Sequence, residues 1–278
     1  YYTSRFEGIY LSWQQPGFIG VFLAFISFAS ALVASRYMHS KKMTDLYHSL
    51  PIRREKMLLC NSGASMLAIL GPYTIIYLLT LAGQMLAYSK YGWVNAAYWK
   101  FVAMDYFTIL VLVWVVYALT TFVAVNVGAT FDALAVSGTF MFLPTLVYMI
   151  CGAVWEMTYY GAASSYRYSL RLSPFLFFFE RFAQSSYRGT PNYPTIAGIF
   201  VVWFLLGCLL IGAAVLCYRR RKSEIAEQTQ PRGLFQMIVK VFACFVSAAV
   251  FLMIFSERSL PVRMLAILFG GTAIGLIA

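Results

Sequence analysis

Apolar runs of about 20 residues, broken by short polar and basic stretches, constrain this chain more than any motif in it. Gly17 to Ser35 holds no charged side chain, and at about 1.5 Å per helical residue it matches the roughly 30 Å hydrocarbon core of a bilayer. Comparable runs recur at about 63–81, 101–125, 133–155, 195–218 and 235–255, and a seventh opens near Arg263. Backbone surrounded by hydrocarbon must satisfy its own N–H and C=O groups, so such runs are expected to be helices. The expected fold class is therefore all-α: a polytopic helical membrane protein with about seven transmembrane helices in one domain over 1–278. Composition agrees, with 61% hydrophobic and only 11% charged residues, against about 25% charged in soluble domains. Pro72 and Pro144 fall inside two of the runs and predict kinks. Gly63 and its small neighbours, and the Gly271/Gly275 pair, suit close helix approach.

The formal net charge is +11, but the Lys and Arg residues flank the apolar runs rather than coating a soluble surface. That distribution points to lipid headgroups and topology, with no nucleic-acid partner. One set of alternate loops holds Arg36, Lys41, Lys42, Arg53, Arg54, Lys56, Arg219, Arg220, Arg221, Lys222, Arg232 and Lys240; the other holds fewer, spread over longer segments. By the positive-inside rule, 36–58 and the basic linker 219–234 are cytoplasmic, and 156–194 lies outside. Residues 1–16 then also lie outside, so an odd number of spans is expected before Tyr1 if the true N-terminus is cytoplasmic. Tyr88, Tyr91, Trp93, Tyr98 and Trp99 form the expected aromatic belt at the outer surface.

Chemistry inside the membrane is sparse. Both histidines, His39 and His48, fall in the basic island, so no intramembrane HExxH or Ser–His pair exists. Cys60, Cys151, Cys208, Cys217 and Cys244 lack metal-ligand spacing and are expected to be packing residues, with no metal bound. Asp105 near the outer end of one span and Asp132 near the inner end of the next would sit roughly 30 Å apart, too far for a shared-proton dyad; capping and interface roles are expected instead. The turn between those spans is very short, predicting a tight antiparallel pair, with Thr130 or Asp132 as cap. No GxxxxGK[ST] phosphate loop occurs. The chain is thus expected not to be an enzyme and to carry no cofactor.

Within the basic island, Met43, Leu46, Tyr47 and Leu50 recur at i, i+3, i+4 and i+7, one apolar stripe of a short amphipathic helix, with Asp45, His48 and Ser49 facing elsewhere. Thr44 and Ser49 can each cap a helix start, and Pro51 suits the first turn of a following helix. A second unusual stretch is Leu172–Phe182, too short to span and rich in Phe. Pro174, Phe175, Phe178, Phe179 and Glu180 within it are the candidate re-entrant exit element, with interfacial packing as the alternative.

The segment Ser40-Lys41-Lys42-Met43-Thr44-Asp45-Leu46-Tyr47-His48-Ser49-Leu50-Pro51-Ile52-Arg53-Arg54-Glu55-Lys56 resembles the "SKK-x-x-D-x-YHSLPI-x-RE" stretch of ABC-2-type transporter permeases of Gram-positive bacteria, a group associated with antibiotic and peptide export or sensing. The layout of spans is similar as well, if one span precedes Tyr1; the runs after residue 235 exceed the basic six-span unit. The resemblance implies a permease subunit in the bacterial cytoplasmic membrane that moves a substrate, such as an antimicrobial peptide, drug or lipid-like compound. It implies two cytoplasmic ATPase subunits carrying ATP and Mg, a second permease copy or homologue, and a coupling helix at 36–58. Met43, Thr44, Asp45, Leu46, Tyr47, His48, Leu50, Pro51, Arg53, Arg54 and Glu55 would bind the ATPase subunit. Two other classes remain open: an ion-coupled secondary transporter, and a non-transporting membrane sensor or immunity protein.

Overall fold

The computed structural model describes residues 16–49, 51–89, 96–158, 173, 174, 176, 193–221, 240, 241, 243, 244 and 247. Six α-helices organise them: α1 (Pro16–Ser35), α2 (Lys41–His48), α3 (Arg54–Ser89), α4 (Ala96–Asn126), α5 (Thr130–Thr158) and α6 (Tyr193–Arg220), with a 3-10 turn at Arg36–His39 between α1 and α2. All but α2 are long and apolar enough to cross a membrane. The chain is a helical multi-pass membrane protein. The runs expected at 235–255 and beyond Arg263, together with Phe175, Phe178, Phe179 and Glu180, lie outside the described residues.

Helix α4 is the centre of the bundle. Within its apolar window 72% of residues are buried by protein, against 17–33% in the other four spans. It packs most extensively on α6 and α1, and the three-residue turn Val127-Gly128-Ala129 folds α5 back against it, the tight pair that its shortness demands. Between apolar helices the hydrophobic effect gives little net attraction in lipid, so packing and interhelical hydrogen bonds hold the bundle. They recur along α4: Ser27 Oγ donates to the Val113 carbonyl at 2.8 Å, Tyr77 Oη to the Val102 carbonyl at 2.8 Å, and the Ser65 and Tyr117 hydroxyls meet at 2.5 Å. Thr74 and Tyr106 hydroxyls pair at 3.0 Å, with the Tyr73 ring stacked on Tyr106. Gly207 lets α6 close on α4, because a Cβ there would collide with the Trp114 indole. Outward faces carry Phe22, Phe25, Ile75, Ile76, Leu79, Val202, Leu205 and Leu209, exposed side chains suited to hydrocarbon.

Several expectations change. The second span is longer than 63–81: α3 runs for 36 residues through Pro72, roughly 54 Å of helix, so both ends overrun a bilayer core. Three of the cysteines, Cys60, Cys151 and Cys208, are exposed on the outside of the bundle rather than packed in its core; a thiol is small and apolar enough for that setting. Asp105 is not a cap, since α4 starts nine residues earlier, and its side chain is buried among the helices. Thr130 and Asp132 sit in the first turn of α5, but the Thr130 hydroxyl is turned to His39 rather than to its own backbone. Pro174 and Ser173 are buried, with Ser173 Oγ donating to the Met141 carbonyl at 2.5 Å on α5 and Pro174 beside Thr108, Phe200 and Trp203.

Candidate functional site

The amphipathic segment forms α2, but the residues of its apolar stripe differ in burial. Ser40 stands before it in an extended conformation and its hydroxyl makes no capping bond. Thr44, expected as a cap, lies inside the helix and is buried: its hydroxyl contacts the Tyr37 carbonyl at 3.0 Å and the Ser40 carbonyl at 2.8 Å. Ser49 closes α2 rather than opening the next helix, its N–H donating to the Asp45 carbonyl at 3.1 Å. Pro51 lies ahead of the helical turn, and α3 begins at Arg54.

Tyr47 packs down onto Tyr37, ring centroids 4.8 Å apart, and Tyr37 in turn meets Tyr218 edge-on at 6.5 Å. Met43 and Leu46, 44% and 60% exposed, point away from the bundle, as does Ile52 at 53%. Asp45, Arg53 and Arg54, neighbours of Leu46 and Ile52 in the chain, are also exposed. Thr44 and Tyr47 therefore glue α2 to the bundle, while Met43, Leu46 and Ile52 are left for something else. Leu50 and the His48 side chain lie outside the described residues.

Beneath α2 the ends of all five long helices meet at a buried polar cluster that no sequence motif announces. Arg221, the residue after α6, is 8% exposed. Its Nη1 donates to the Val125 carbonyl at 2.6 Å and the Ala124 carbonyl at 3.1 Å, and its Nη2 to the Met38 carbonyl at 3.0 Å. Ala124 and Val125 belong to the last turn of α4, whose carbonyls have no intrahelical donor and carry the negative end of the helix dipole. A guanidinium, with five N–H donors in a rigid fork, can serve several such acceptors at once. Burial pushes Arg221 down to about 10, so it still carries its charge at neutral pH.

His39, 6% exposed, completes the cluster. Nε2 lies 3.0 Å from the Ala124 carbonyl and Nδ1 3.1 Å from the Thr130 hydroxyl. A carbonyl can only accept, so Nε2 carries the proton and Nδ1 can take the Thr130 hydroxyl proton; a neutral imidazole satisfies both contacts. The carbonyl of Arg221 accepts from Arg54 Nη1 at 3.0 Å, tying in the start of α3, and Arg219 pairs with Glu55 at 3.3 Å on the surface above. The loops 36–58 and 219–221, grouped on one side by the charge count, are thus brought together at one end of the bundle.

Of the residues expected to bind a partner, the structure exposes Met43, Asp45, Leu46, Pro51, Arg53 and Arg54, leaves Glu55 half-exposed in its ion pair, and turns Thr44 and Tyr47 inward. Among the described residues no three His, Cys, Asp or Glu side chains converge on a common point. His39 and Arg221 were not among the expected site residues. The one sequence signal for Arg221 is its helical phase: Gly207, Ala214, Tyr218 and Arg221 follow at intervals of seven, four and three, one stripe of α6 that the structure buries. No family model, curated protein or solved structure matches the chain.

Proposed function

We propose that the chain is the membrane-spanning permease subunit of an ABC transporter in a bacterial cytoplasmic membrane, and that the exposed face of α2 is where a cytoplasmic ATPase subunit docks. The observation that carries this reading is the divided face of α2. Thr44 and Tyr47 fix α2 to the bundle, and Met43 and Leu46 on the helix, with Ile52 just after it, stay exposed. Apolar anchors ringed by charge are the usual make-up of a protein interface, with the anchors giving affinity and the rim giving orientation. Here the rim is Asp45, Arg53 and Arg54. The resemblance of Ser40–Lys56 to ABC-2 permeases supplies the chemistry of the partner, a nucleotide-binding subunit holding ATP and Mg. A second permease copy, an export direction and a peptide, drug or lipid-like substrate follow from the same resemblance.

Leu46→Asp tests the reading. The side chain is exposed, so the variant should insert and fold as wild type, yet lose ATPase-subunit binding. Full retention of that binding and of substrate-stimulated ATP turnover would refute the docking role.

One observation favours a second reading. Asp105 is a carboxylate buried within the α4 span, and buried intramembrane carboxylates mark ion pathways. Gradient-driven flux in liposomes without any ATPase, abolished by Asp105→Asn, would support that alternative.

A further inference from the structure

The residues that fix α2 to the bundle form one continuous chain of contacts. Thr44 and Tyr47 hold α2 on Tyr37 of the 3-10 turn. The next two residues of that turn, Met38 and His39, reach Arg221 and the Ala124 carbonyl. From there Arg221 and His39 contact the end of α4 and the start of α5, and the Arg221 backbone continues α6. We propose that Arg221 is the positioning residue of a joint through which displacement of α2 becomes displacement of the α4–α5 turn and the end of α6. This inference rests on the docking reading given above.

Three features support a joint rather than a generic cap. Arg221 bridges two elements, the last turn of α4 and the 3-10 turn, whereas dipole compensation would need only α4. Its acceptors are main-chain carbonyls, so a rigid push on the 3-10 turn is passed to the backbone of α4 rather than absorbed by side-chain rotamers. And α4 is the helix on which the other spans pack, so moving its end moves the wall of any passage through the bundle. Coupling between distant sites needs such a contiguous set of packed and hydrogen-bonded groups with an element both ends can bias.

Arg221→Lys and Thr44→Val separate the joint from simple stability. Lysine keeps the positive charge at the end of α4 but replaces the planar fork with a point charge that cannot hold all three carbonyls. Valine keeps the bulk of Thr44 and removes the hydroxyl that reaches the Tyr37 and Ser40 carbonyls, leaving the acceptors of Arg221 untouched. The full chain is placed in nanodiscs of phosphatidylethanolamine and phosphatidylglycerol in two doubly labelled forms, with spin labels on unnatural amino acids at 43 and 131 for the chain alone and at 86 and 131, Met43 kept native, for the chain with the ATPase subunit; the native Met43, Phe131 and Leu86 are all exposed. In the chain alone, the 43–131 distance should be narrow in wild type and broad in both variants. With the ATPase subunit bound, a non-hydrolysable ATP analogue should shift the 86–131 distance in wild type, and that shift should be lost in both variants while ATPase binding persists. Variants that keep a narrow 43–131 distance, or a wild type in which it is broad, would overturn the joint. Variants that keep the nucleotide-driven shift would overturn it as well. Failure of the wild-type chain to bind the ATPase subunit would instead refute the docking reading, and the measurement on the chain alone would still decide whether α2 and the α4–α5 turn move as one body.

Discussion

Replacing Arg221 by Met keeps most of the side-chain volume and deletes the donors. Ala124 retains His39 as a donor at 3.0 Å, so the Val125 and Met38 carbonyls carry most of the loss. A buried acceptor deprived of its donor costs about 1–3 kcal/mol, which for two gives about 2–6 kcal/mol. At roughly 2–4 °C per kcal/mol for a chain of this size, melting should fall by about 4–24 °C. The neighbouring Arg220 is exposed and provides the control, since Arg220→Met should cost less than about 0.5 kcal/mol. Thermal unfolding in detergent, followed by tryptophan fluorescence and by size exclusion, measures both. Because Arg221 and His39 share the Ala124 carbonyl, Arg221→Met combined with His39→Ala should deviate from additivity by more than about 0.5 kcal/mol. Equal melting temperatures for the Arg220 and Arg221 variants, or strict additivity with His39→Ala, would refute the cluster as a structural unit.

Gly207→Val should push α6 off the Trp114 indole and cost about 1–3 kcal/mol as overpacking; Trp114→Ala in the same chain should restore part of it, read by thermal unfolding. Ser65→Ala and Tyr117→Phe each break the same α3–α4 hydroxyl pair, so each should cost about 0.5–1.5 kcal/mol and the double variant little more than either alone. Tyr47→Ala should lower melting, because the ring packs tilted against Tyr37, whereas Leu46→Asp should leave melting unchanged and remove only partner binding. Glu55→Gln should have no measurable effect on melting, since its pair with Arg219 is 38% and 70% exposed and such pairs contribute about 0–1 kcal/mol.

The spanning helices were legible in the sequence because hydrocarbon imposes a simple rule: about 20 predominantly apolar residues with few charges. Gly17–Ser35 and the run at 101–125 each coincide with an observed helix, and the short break after Asn126 announced the α4–α5 hairpin. The length of α3 was less visible as one span, because the charged residues Arg54, Glu55 and Lys56 and the polar pair Asn61 and Ser62 precede the apolar run, although Pro51 had announced a helix start there. The apolar stripe on α2 was readable, but not its division. Which of Met43, Leu46 and Tyr47 turns inward depends on the direction set by the 3-10 turn at Arg36–His39, and that turn has no distinctive composition. Least legible was the polar cluster. His39 and Arg221 lie far apart in the chain, and both bind main-chain carbonyls, which every residue type presents. A side chain that recognises backbone leaves no complementary residue to find, so Arg221 read as one more positive charge at the end of a span. Asp105 was placed near the correct end of its helix, but its burial comes from the helices that surround α4, not from its sequence neighbours.

Photo-crosslinking from position 46 tests the docking of an ATPase subunit on α2 most directly. A photoreactive amino acid replaces Leu46 in the full chain, with Val33, exposed on α1, as the control position; native membranes are irradiated and the adducts sequenced. The account predicts an adduct at 46, absent at 33, whose peptides include a GxxxxGK[ST] phosphate loop, and its disappearance when the neighbouring anchor is changed by Met43→Asp. Adducts at 46 with lipid alone, or with no nucleotide-binding polypeptide, would contradict it.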